Sequence, residues 1–406
     1  MQTQLTESYR QTEAGLRAET LLRACVHCGF CNATCPTYRL TGNELDGPRG
    51  RIYLMKQVFE GAPASAVTRQ HLDRCLGCRG CETTCPSGVG YSELLDLGRA
   101  AVAAVAPRPW PQRVVRAALR GFLVSAAFAP LYRVAQWVRP VLPKRLRSLV
   151  QPRESVPLCV VQPRLRQVIV PRGCVQPTLL GGVDVALMRL LDRLAIEARV
   201  VDAGCCGAVA HHTEDPDGSL RAARRNIDAW WPLVEAGAEA ILWTASACTL
   251  EVREYGSRLV ADPQYAVRAA RISALARDPG EYLLGERAAL LALRASVAPL
   301  RVAFHPPCTL QHGLKAVAAV QELLRAFGAE LQPVADAHLC CGSAGTYSVL
   351  QPAFSQRLRR EKIAHLTASA PAVVLSANVG CILHLRPDAP VPVRHWLEWL
   401  VERVIP

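Results

Sequence analysis

The chain has 406 residues, of which 50% are hydrophobic and 20% charged. This length suits two or three domains, and the composition excludes a disordered polymer. The formal net charge is +13 and there are 17 cysteines. The opening residues, MQTQLTESYRQTEAGLRAET, are polar and lack the apolar core of a secretory signal, so we expect a cytoplasmic protein. In a reducing compartment so many cysteines indicate metal binding or redox chemistry rather than a disulfide framework.

Two cysteine runs near the N-terminus share one spacing. CVHCGFCNATCP at residues 25–36 and CLGCRGCETTCP at residues 75–86 both read C-x2-C-x2-C-x3-C-P. This is the bacterial ferredoxin run, in which three cysteines ligate one [4Fe-4S] cluster and the fourth ligates the other. We therefore predict two [4Fe-4S] clusters. Their predicted ligands are Cys25, Cys28, Cys31 and Cys85 for one cluster, and Cys75, Cys78, Cys81 and Cys35 for the other.

Structural zinc is the alternative for these runs. Zinc needs only four ligands, and it leaves the repeated third cysteine and proline unexplained. His27 and His71 lie beside the runs, but the cysteines already supply every site, so we expect both to tune hydrogen bonding or face solvent.

The segment between the runs predicts a helix. PRGRIYLMKQVFEG begins with Pro48, carries Ile52, Met55 and Phe59 at helical spacing, and ends at Gly61. In a minimal ferredoxin, the segment between the two cysteine runs is shorter. We therefore predict a helical two-cluster ferredoxin-like domain over residues 1–100, of the kind found in respiratory iron–sulfur subunits.

A basic segment follows, which we assign as a linker over residues 101–165. From Arg99 to Arg172 there are fourteen Lys or Arg and one acid, a surplus equal to the net charge of the whole chain, +13. PQRVVRAALRGFLVSAAFA predicts a basic amphipathic helix with Arg113, Arg116 and Arg120 on one face. It is too short to span a membrane, and Pro130 interrupts it. Contact with an acidic partner or the anionic inner leaflet is the functional hypothesis, and a solvated connector is the alternative.

The remaining cysteines form an internal repeat. Corresponding positions lie 133 to 135 residues apart: Cys174, Cys205, Cys206 and Cys248 in the first set, and Cys308, Cys340, Cys341 and Cys381 in the second. An apolar helical pattern around Leu187 recurs around Val320. Short apolar runs precede the cysteines, so each repeat predicts an α/β module with a largely parallel sheet, over residues 166–295 and 296–406. Ligands in such folds gather at the carboxyl ends of the strands.

Each repeat contains a vicinal pair followed by glycine, CCG. Neighbouring thiolates can reach different irons of a cluster, so these eight cysteines are candidates for one or two further iron–sulfur clusters. The alternative is a set of buried thiols. The glycine is expected to permit a backbone conformation that a side chain would hinder. Cys159 fits neither set, and we interpret it as a structural or free thiol.

Several long stretches carry a family resemblance from end to end, among them CVHCGFCNATCPTY, NELDGPRGRIYL, HLDRCLGCRGCETTCPSG, RNIDAWWP and HLCCGSAGTY. With these, the chain resembles the iron–sulfur subunits of bacterial glycolate oxidase (glycolate dehydrogenase) and, less closely, the C subunit of anaerobic glycerol-3-phosphate dehydrogenase. The resemblance implies a non-catalytic electron-transfer subunit. FAD and the substrate would lie on partner subunits, and electrons would pass toward the respiratory quinone pool or another membrane acceptor at the cytoplasmic face of the inner membrane.

The two repeats also resemble the CCG modules of heterodisulfide reductase, which end in C-x2-C and whose five cysteines can hold a non-cubane cluster. Ala245 and Asn378 stand where the first cysteine of each final pair would be. Four thiolates remain in each repeat, enough for a cubane but not for a five-ligand arrangement.

Two other functions stay open at this point. One is an iron–sulfur subunit of a related lactate or glycerol-3-phosphate dehydrogenase, and the other is a redox-sensing regulatory protein. No G-x-G-x-x-G follows a predicted strand, so a flavin or nicotinamide would be bound by another chain. No nucleic-acid-binding motif is recognisable, and we expect no nucleic-acid partner.

Overall fold

The computed structural model describes residues 1–143, 147, 150–153, 162–295 and 298–405. Cys159 lies outside the described residues. The chain divides into a smaller compact unit, residues 1–115 with 336–362, and a larger one, residues 116–335 with 363–406. A helical N-terminal part precedes two parallel α/β sheets, which confirms the predicted fold class. The compact units do not coincide with the predicted domain boundaries, because residues 336–362 group with the N-terminal part.

The N-terminal part consists of short helices. They are α1 (Glu7–Arg10), α2 (Glu13–Ala24), α3 (Phe30–Ala33), α4 (Pro36–Thr41), α5 (Pro48–Phe59), α6 (Ala66–Asp73), α7 (Gly80–Thr84) and α8 (Tyr91–Val105). Helix α5 begins at Pro48, as predicted, because a proline in the first turn needs no N–H partner. It buries Ile52, Met55 and Phe59. Helix α8 approaches α5 closely at Gly98, where an added Cβ would lie 2.2 Å from Met55 Sδ.

Two further helices, α9 (Trp110–Val124) and α10 (Phe128–Val138), follow this part of the chain. The predicted amphipathic helix is therefore present, but it ends before Pro130. That proline lies in the first turn of α10, where its missing N–H costs nothing. Among the described residues, no single helix is long and apolar enough to cross a membrane. Residues 110–124 and 128–141 meet that test only as a pair bent by 87°.

Two sheets carry the repeats. The first contains β1 (Arg166–Pro171), β2 (Ile196–Val201), β3 (Ile241–Leu242) and β4 (Ala276–Arg277) in the order β2-β1-β3-β4. The second contains β5 (Leu300–His305), β6 (Ala329–Leu331), β7 (Val373–Ser376) and β8 (Val393–His395) in the order β6-β5-β7-β8. All neighbouring strands are parallel. The identical strand order confirms the internal repeat.

Helices cover both sheets and connect their strands. Those of the first repeat are α11 (Gln176–Leu179), α12 (Gly181–Arg193), α13 (Ala208–His212), α14 (Pro216–Glu235), α15 (Ser246–Arg253), α16 (Tyr255–Arg258), α17 (Ala266–Leu275), α18 (Pro279–Gly285) and α19 (Arg287–Ala292). Those of the second are α20 (Val317–Ala326), α21 (Tyr347–Leu350), α22 (Pro352–Thr367), α23 (Val379–Leu385) and α24 (Trp396–Val404). The repeated apolar pattern lies on α12 and α20, where Leu187 and Val320 are fully buried.

Candidate metal centres

The two N-terminal cysteine runs share one backbone conformation. His27 and Gly29, on either side of Cys28, have φ values of 59° and 87°. Gly77 and Arg79, on either side of Cys78, have φ values of 64° and 61°. Left-handed residues alternating with right-handed ones create backbone concavities of the kind that bind anions and iron–sulfur groups. His27 and Arg79 adopt this conformation although it is costly for residues other than glycine. Such strain is typical of functional sites, so both runs have the backbone expected of a binding site.

Backbone amides donate to cysteine sulfurs at equivalent positions in the two runs. The Gly77 amide lies 3.4 Å from Cys75 Sγ. The His27 amide donates to Cys25 in the same way and favours its thiolate. Such N–H donors are part of a chain's means of holding and tuning a cluster.

Each run ends in a short helix that brings its fourth cysteine toward the other run. Helices α3 and α7 pack against each other, and Thr34 Oγ1 donates to the Gly80 carbonyl oxygen across a distance of 3.2 Å. Cys85 follows α7 directly, and Cys35 follows α3 after Thr34. The α3–α7 contact therefore places each fourth cysteine beside the opposite run.

Two cavities result, and cysteines of both runs line each of them. The first is lined by Cys25, Cys28, Cys31 and Cys85, and Cys81 also reaches its wall. The second is lined by Cys35, Cys75, Cys78 and Cys81. The structure thus brings the predicted ligands together as two sets, and in each set three cysteines come from one run and one from the other.

Three of the thiols in these cavities resist ionisation on their own. Burial, reinforced by the neighbouring Cys25, raises the pKa of Cys31 to about 11. Burial likewise raises the pKa of Cys25 and of Cys81. A bound metal cation is the group that would allow these thiols to become thiolates. Four soft sulfur donors in each predicted set fit a [4Fe-4S] cluster.

A buried charged network lies behind the second cavity. The Arg51 side chain is 1% exposed and the Asp46 side chain 0%. Arg51 Nε donates to the His71 carbonyl oxygen across 2.7 Å, and its Nη1 lies 4.0 Å from Cys35 Sγ. Asp46 Oδ1 lies 2.8 Å from His71 Nδ1, and its Oδ2 accepts from Arg74 Nη1 across 3.0 Å.

Sequence analysis missed this network apart from His71, whose expected hydrogen-bonding role matches its contact with Asp46. The residue that could have indicated this network in the sequence is Arg51, in the stretch LDGPRGRIYL. Arg51 lies one turn before Met55 and therefore on the buried face of α5. A charged residue on an apolar helix face indicates a partner inside the protein.

The cysteines of the first repeat also converge. Cys174 follows β1, the pair Cys205 and Cys206 follows β2, and Cys248 lies in the first turn of α15 after β3. Cys174 and Cys206 lie near Cys205, and Cys248 lies near Cys206. These neighbours lower the pKa of Cys205 and raise the pKa of Cys174 and of Cys206. This set offers four sulfur ligands at the carboxyl ends of the strands.

The glycine of each CCG motif has the predicted role. Gly207 and Gly342 have φ values of 105° and 91°. A Cβ on Gly207 would lie 3.0 Å from Ser219 Oγ, and one on Gly342 would lie 2.7 Å from the Ser355 carbonyl oxygen. Their amides lie 3.4 Å from Cys205 Sγ and 3.5 Å from Cys340 Sγ, respectively. Both motifs therefore turn a backbone donor toward the first sulfur of the pair.

The cysteines of the second repeat are divided between the compact units. Cys308 and Cys381 belong to the larger unit, and Cys340 and Cys341 to the smaller. Cys308 is half-buried and the other three are buried. Within the larger unit, a ring nitrogen of His305 lies within 4.8 Å of Cys381 Sγ.

The two positions that depart from the C-x2-C pattern begin helices. Ala245 precedes α15, and Asn378 precedes α23. The Asn378 Oδ1 accepts from the Gly380 amide at 2.9 Å, which caps α23. Asn378 therefore has a helix-capping role in place of a metal-ligating one.

The three arginines of the predicted basic face differ in their surroundings. Arg120 Nε lies 3.1 Å from Asp215 Oδ2, and Arg116 Nη1 lies 3.6 Å from Glu214 Oε1. Arg113 is exposed. Two of the three are therefore engaged in ion pairs inside the larger unit, as a connector packed on its own domain would be. Contact of all three with a membrane or partner stays a prediction.

Comparison with known proteins identifies the parts of the chain. The 4Fe-4S dicluster domain family matches residues 21–89, and the cysteine-rich domain family matches residues 168–253 and 302–386. The glycolate oxidase iron-sulfur subunit of Escherichia coli is 49% identical over 100% of this chain and 99% of its own length. A Bacillus subtilis protein described under the same subunit name is 30% identical over 89% of this chain and 88% of its own. Lactate utilization protein A of Shouchella clausii is 24% identical over 52% of this chain and 87% of its own.

Proposed function

Because the chain belongs to the family of glycolate oxidase iron–sulfur subunits, we propose that it transfers electrons within a flavin-dependent glycolate dehydrogenase. FAD-containing subunits oxidise the hydroxyacid, and this chain carries the electrons toward the respiratory quinone pool. The observation that carries the proposal is the pair of cavities, each lined by cysteines drawn from both runs.

The proposed ligands of the first centre are Cys25, Cys28, Cys31 and Cys85, and those of the second are Cys35, Cys75, Cys78 and Cys81. When bound, a [4Fe-4S] cluster supplies a carrier of single electrons. The chain contributes the left-handed turns at His27 and Arg79 and the amide donors at the first cysteine of each run. Because each run contributes to both centres, the contact between α3 and α7 keeps the two centres adjacent.

A further cluster in the first repeat is the next part of the proposal. Its four thiols follow β1, β2 and β3 and converge at the carboxyl ends of these strands. Four thiolates can hold a cubane. Cys308, Cys340, Cys341 and Cys381 of the second repeat stay candidates on the sequence repeat alone.

The electron acceptor is proposed to lie at a membrane that the protein contacts peripherally. Support comes from α9 and α10, which present large apolar side chains to solvent: Trp110 is 72% exposed and Trp137 is 84% exposed. Tryptophan is favoured at membrane–water interfaces. Arg113 and Arg133 are exposed on the same two helices and would favour anionic lipid.

The test is reduction of the centres by substrate in the intact complex. The chain is purified anaerobically with whatever subunits accompany it, glycolate is added, and reduced clusters are observed by EPR. We expect FAD-containing subunits to co-purify, and glycolate to reduce both N-terminal centres. Lactate and glycerol 3-phosphate serve as matched substrates.

A complex whose clusters are reduced by dithionite but not by glycolate would overturn the proposal. Reduction by lactate alone would instead assign the chain to lactate oxidation, and one more distant relative is named lactate utilization protein A.

A further inference from the structure

Arg51 is held rigidly at the wall of the second cavity, which it lines with Cys35 and Cys75. Its Nε donates to the His71 carbonyl oxygen across 2.7 Å, and its Nη2 donates to Thr37 Oγ1 across 3.1 Å. These bonds use two edges of the planar guanidinium and leave Nη1 directed toward Cys35 Sγ, 4.0 Å away. The charge therefore has a fixed position beside a proposed cluster ligand.

Arg51 keeps its positive charge despite its burial, because a guanidinium is not deprotonated in proteins. A charge in so dry an environment acts over a longer distance than one at the surface, because water and salt do not screen it.

The nearest carboxylate does not neutralise Arg51 fully. Asp46 lies 4.0 Å from Arg51, while its two oxygens make closer contacts with His71 and Arg74. Two arginines thus share one carboxylate behind the second cavity. The local balance of these three groups is one positive charge.

The charged side chains that line the first cavity are arranged differently. Arg49 lines it, but Arg49 Nε lies 2.6 Å from Glu44 Oε1 in a one-to-one ion pair. The side chains of this pair are 35% and 39% exposed. Its charge is balanced and screened by solvent. The two cavities therefore differ in a buried net positive charge that lies only behind the second.

Reduction adds one negative charge to a cluster that its thiolates already make anionic. A fixed positive charge nearby stabilises the reduced form more than the oxidised form, and net charge is one of the determinants of cluster potential. Building on the function proposed above, we propose that Arg51 is a potential-setting residue. It raises the reduction potential of the centre at Cys35, Cys75, Cys78 and Cys81 selectively, and so favours electron flow toward that centre.

The test is a potentiometric titration of the full-length protein, read by EPR with redox mediators. Arg51→Gln should lower the potential of the second centre and leave the first unchanged. Asp46→Asn removes the opposing charge and should shift the second centre the other way, to higher potential. Arg51→Lys keeps the charge and should shift the potential less than Arg51→Gln does.

Arg17→Gln is the matched control. It removes the same charge from an ion pair with Glu93 whose side chains are 52% and 46% exposed, and it should move neither potential. If Arg51→Gln fails to retain the second cluster, the Asp46→Asn variant decides the question by the sign of its shift.

An Arg51→Gln protein with full iron content and an unchanged second potential would overturn the inference, as would an Asp46→Asn protein with an unchanged or lowered one. Mediators and dithionite reduce the clusters without any flavin subunit. Failure of glycolate to reduce the complex would thus contradict the proposed function, while the potentiometric titration of the Arg51 and Asp46 variants would still test the present inference.

Discussion

The fourth cysteine of each N-terminal run is the residue that distinguishes a crosswise ligand arrangement from a local one. Cys35 lines the cavity of the second run, and Cys85 lines that of the first. We expect Cys35→Ser to remove the centre at Cys75, Cys78 and Cys81, lowering the iron content of the N-terminal part from about eight to about four atoms. Cluster-specific EPR signals and iron analysis after anaerobic purification measure this.

Cys85→Ser is the mirror control, and it should remove the other centre. Both variants replace a cysteine by serine. A difference between them in which EPR signal disappears therefore shows which cluster each cysteine ligates. Loss of the Cys25 centre in Cys35→Ser would contradict the crosswise arrangement.

The sequence predicted the cysteine sets but missed the side chains around them. Regular spacing encodes which thiols share a cluster, because the local chain geometry repeats with it. Asp46 and Arg51 carry no such pattern, since their pairing depends on how α5 packs against the rest of the unit. The effect of a charged side chain depends on whether the tertiary fold buries it, and local sequence does not predict that burial.

At the scale of elements, the predicted strands were recognised from short apolar runs, and the helix break was misplaced. Each sheet repeats the same strand order, so the duplicated cysteine spacing was a reliable guide. Pro130 was expected to interrupt the basic helix, but the break falls at residues 125–127, and the proline lies in the first turn of the next helix, which begins at Phe128. A proline marks a helix boundary without stating on which side it falls.

Helices α9 and α10 provide the second prediction. Replacing Trp110 and Trp137 by Ser should weaken binding of the assembled complex to vesicles of anionic phospholipid several-fold, because exposed indoles favour the interface. Arg113→Gln should weaken binding at low salt only, since salt screens its attraction to the lipid. Vesicle co-sedimentation at two salt concentrations measures both effects.

Arg116→Gln is the control within α9, because Arg116 already pairs with Glu214 and should contribute little to lipid binding. Equal binding to neutral and anionic vesicles, or no loss in the tryptophan variant, would exclude a membrane role for these helices. They would then be a contact surface for another subunit.

At the scale of the whole molecule, the division into units was not predictable from the repeat. The segment 336–362 belongs by sequence to the second repeat, yet it groups with the N-terminal part. Its contacts explain this: Tyr347 Oη donates to the Arg74 carbonyl oxygen across 3.1 Å, and Arg39 Nη1 lies 2.9 Å from Asp336 Oδ2. The Arg74 guanidinium also lies 5.1 Å from the centre of the Phe354 ring. Such contacts join residues hundreds of positions apart, and local sequence patterns do not predict them.

The iron content of the full chain decides whether the repeats hold clusters. Two N-terminal cubanes account for about eight irons. We expect the anaerobically purified protein to contain at least about twelve, because the four thiols of the first repeat converge at the carboxyl ends of its strands. Replacing both Cys205 and Cys206 by Ser should then remove about four irons without changing the N-terminal EPR signals.

The matched variant in the second repeat replaces Cys340 and Cys341 by Ser, and a further loss of about four irons would assign a cluster there as well. Circular dichroism of each variant separates loss of iron from loss of fold. A folded unaltered protein with about eight irons, and no change on replacing either pair, would make the repeated thiols structural. The duplicated sheets would then serve as a scaffold that docks the two-cluster part onto its flavin partners.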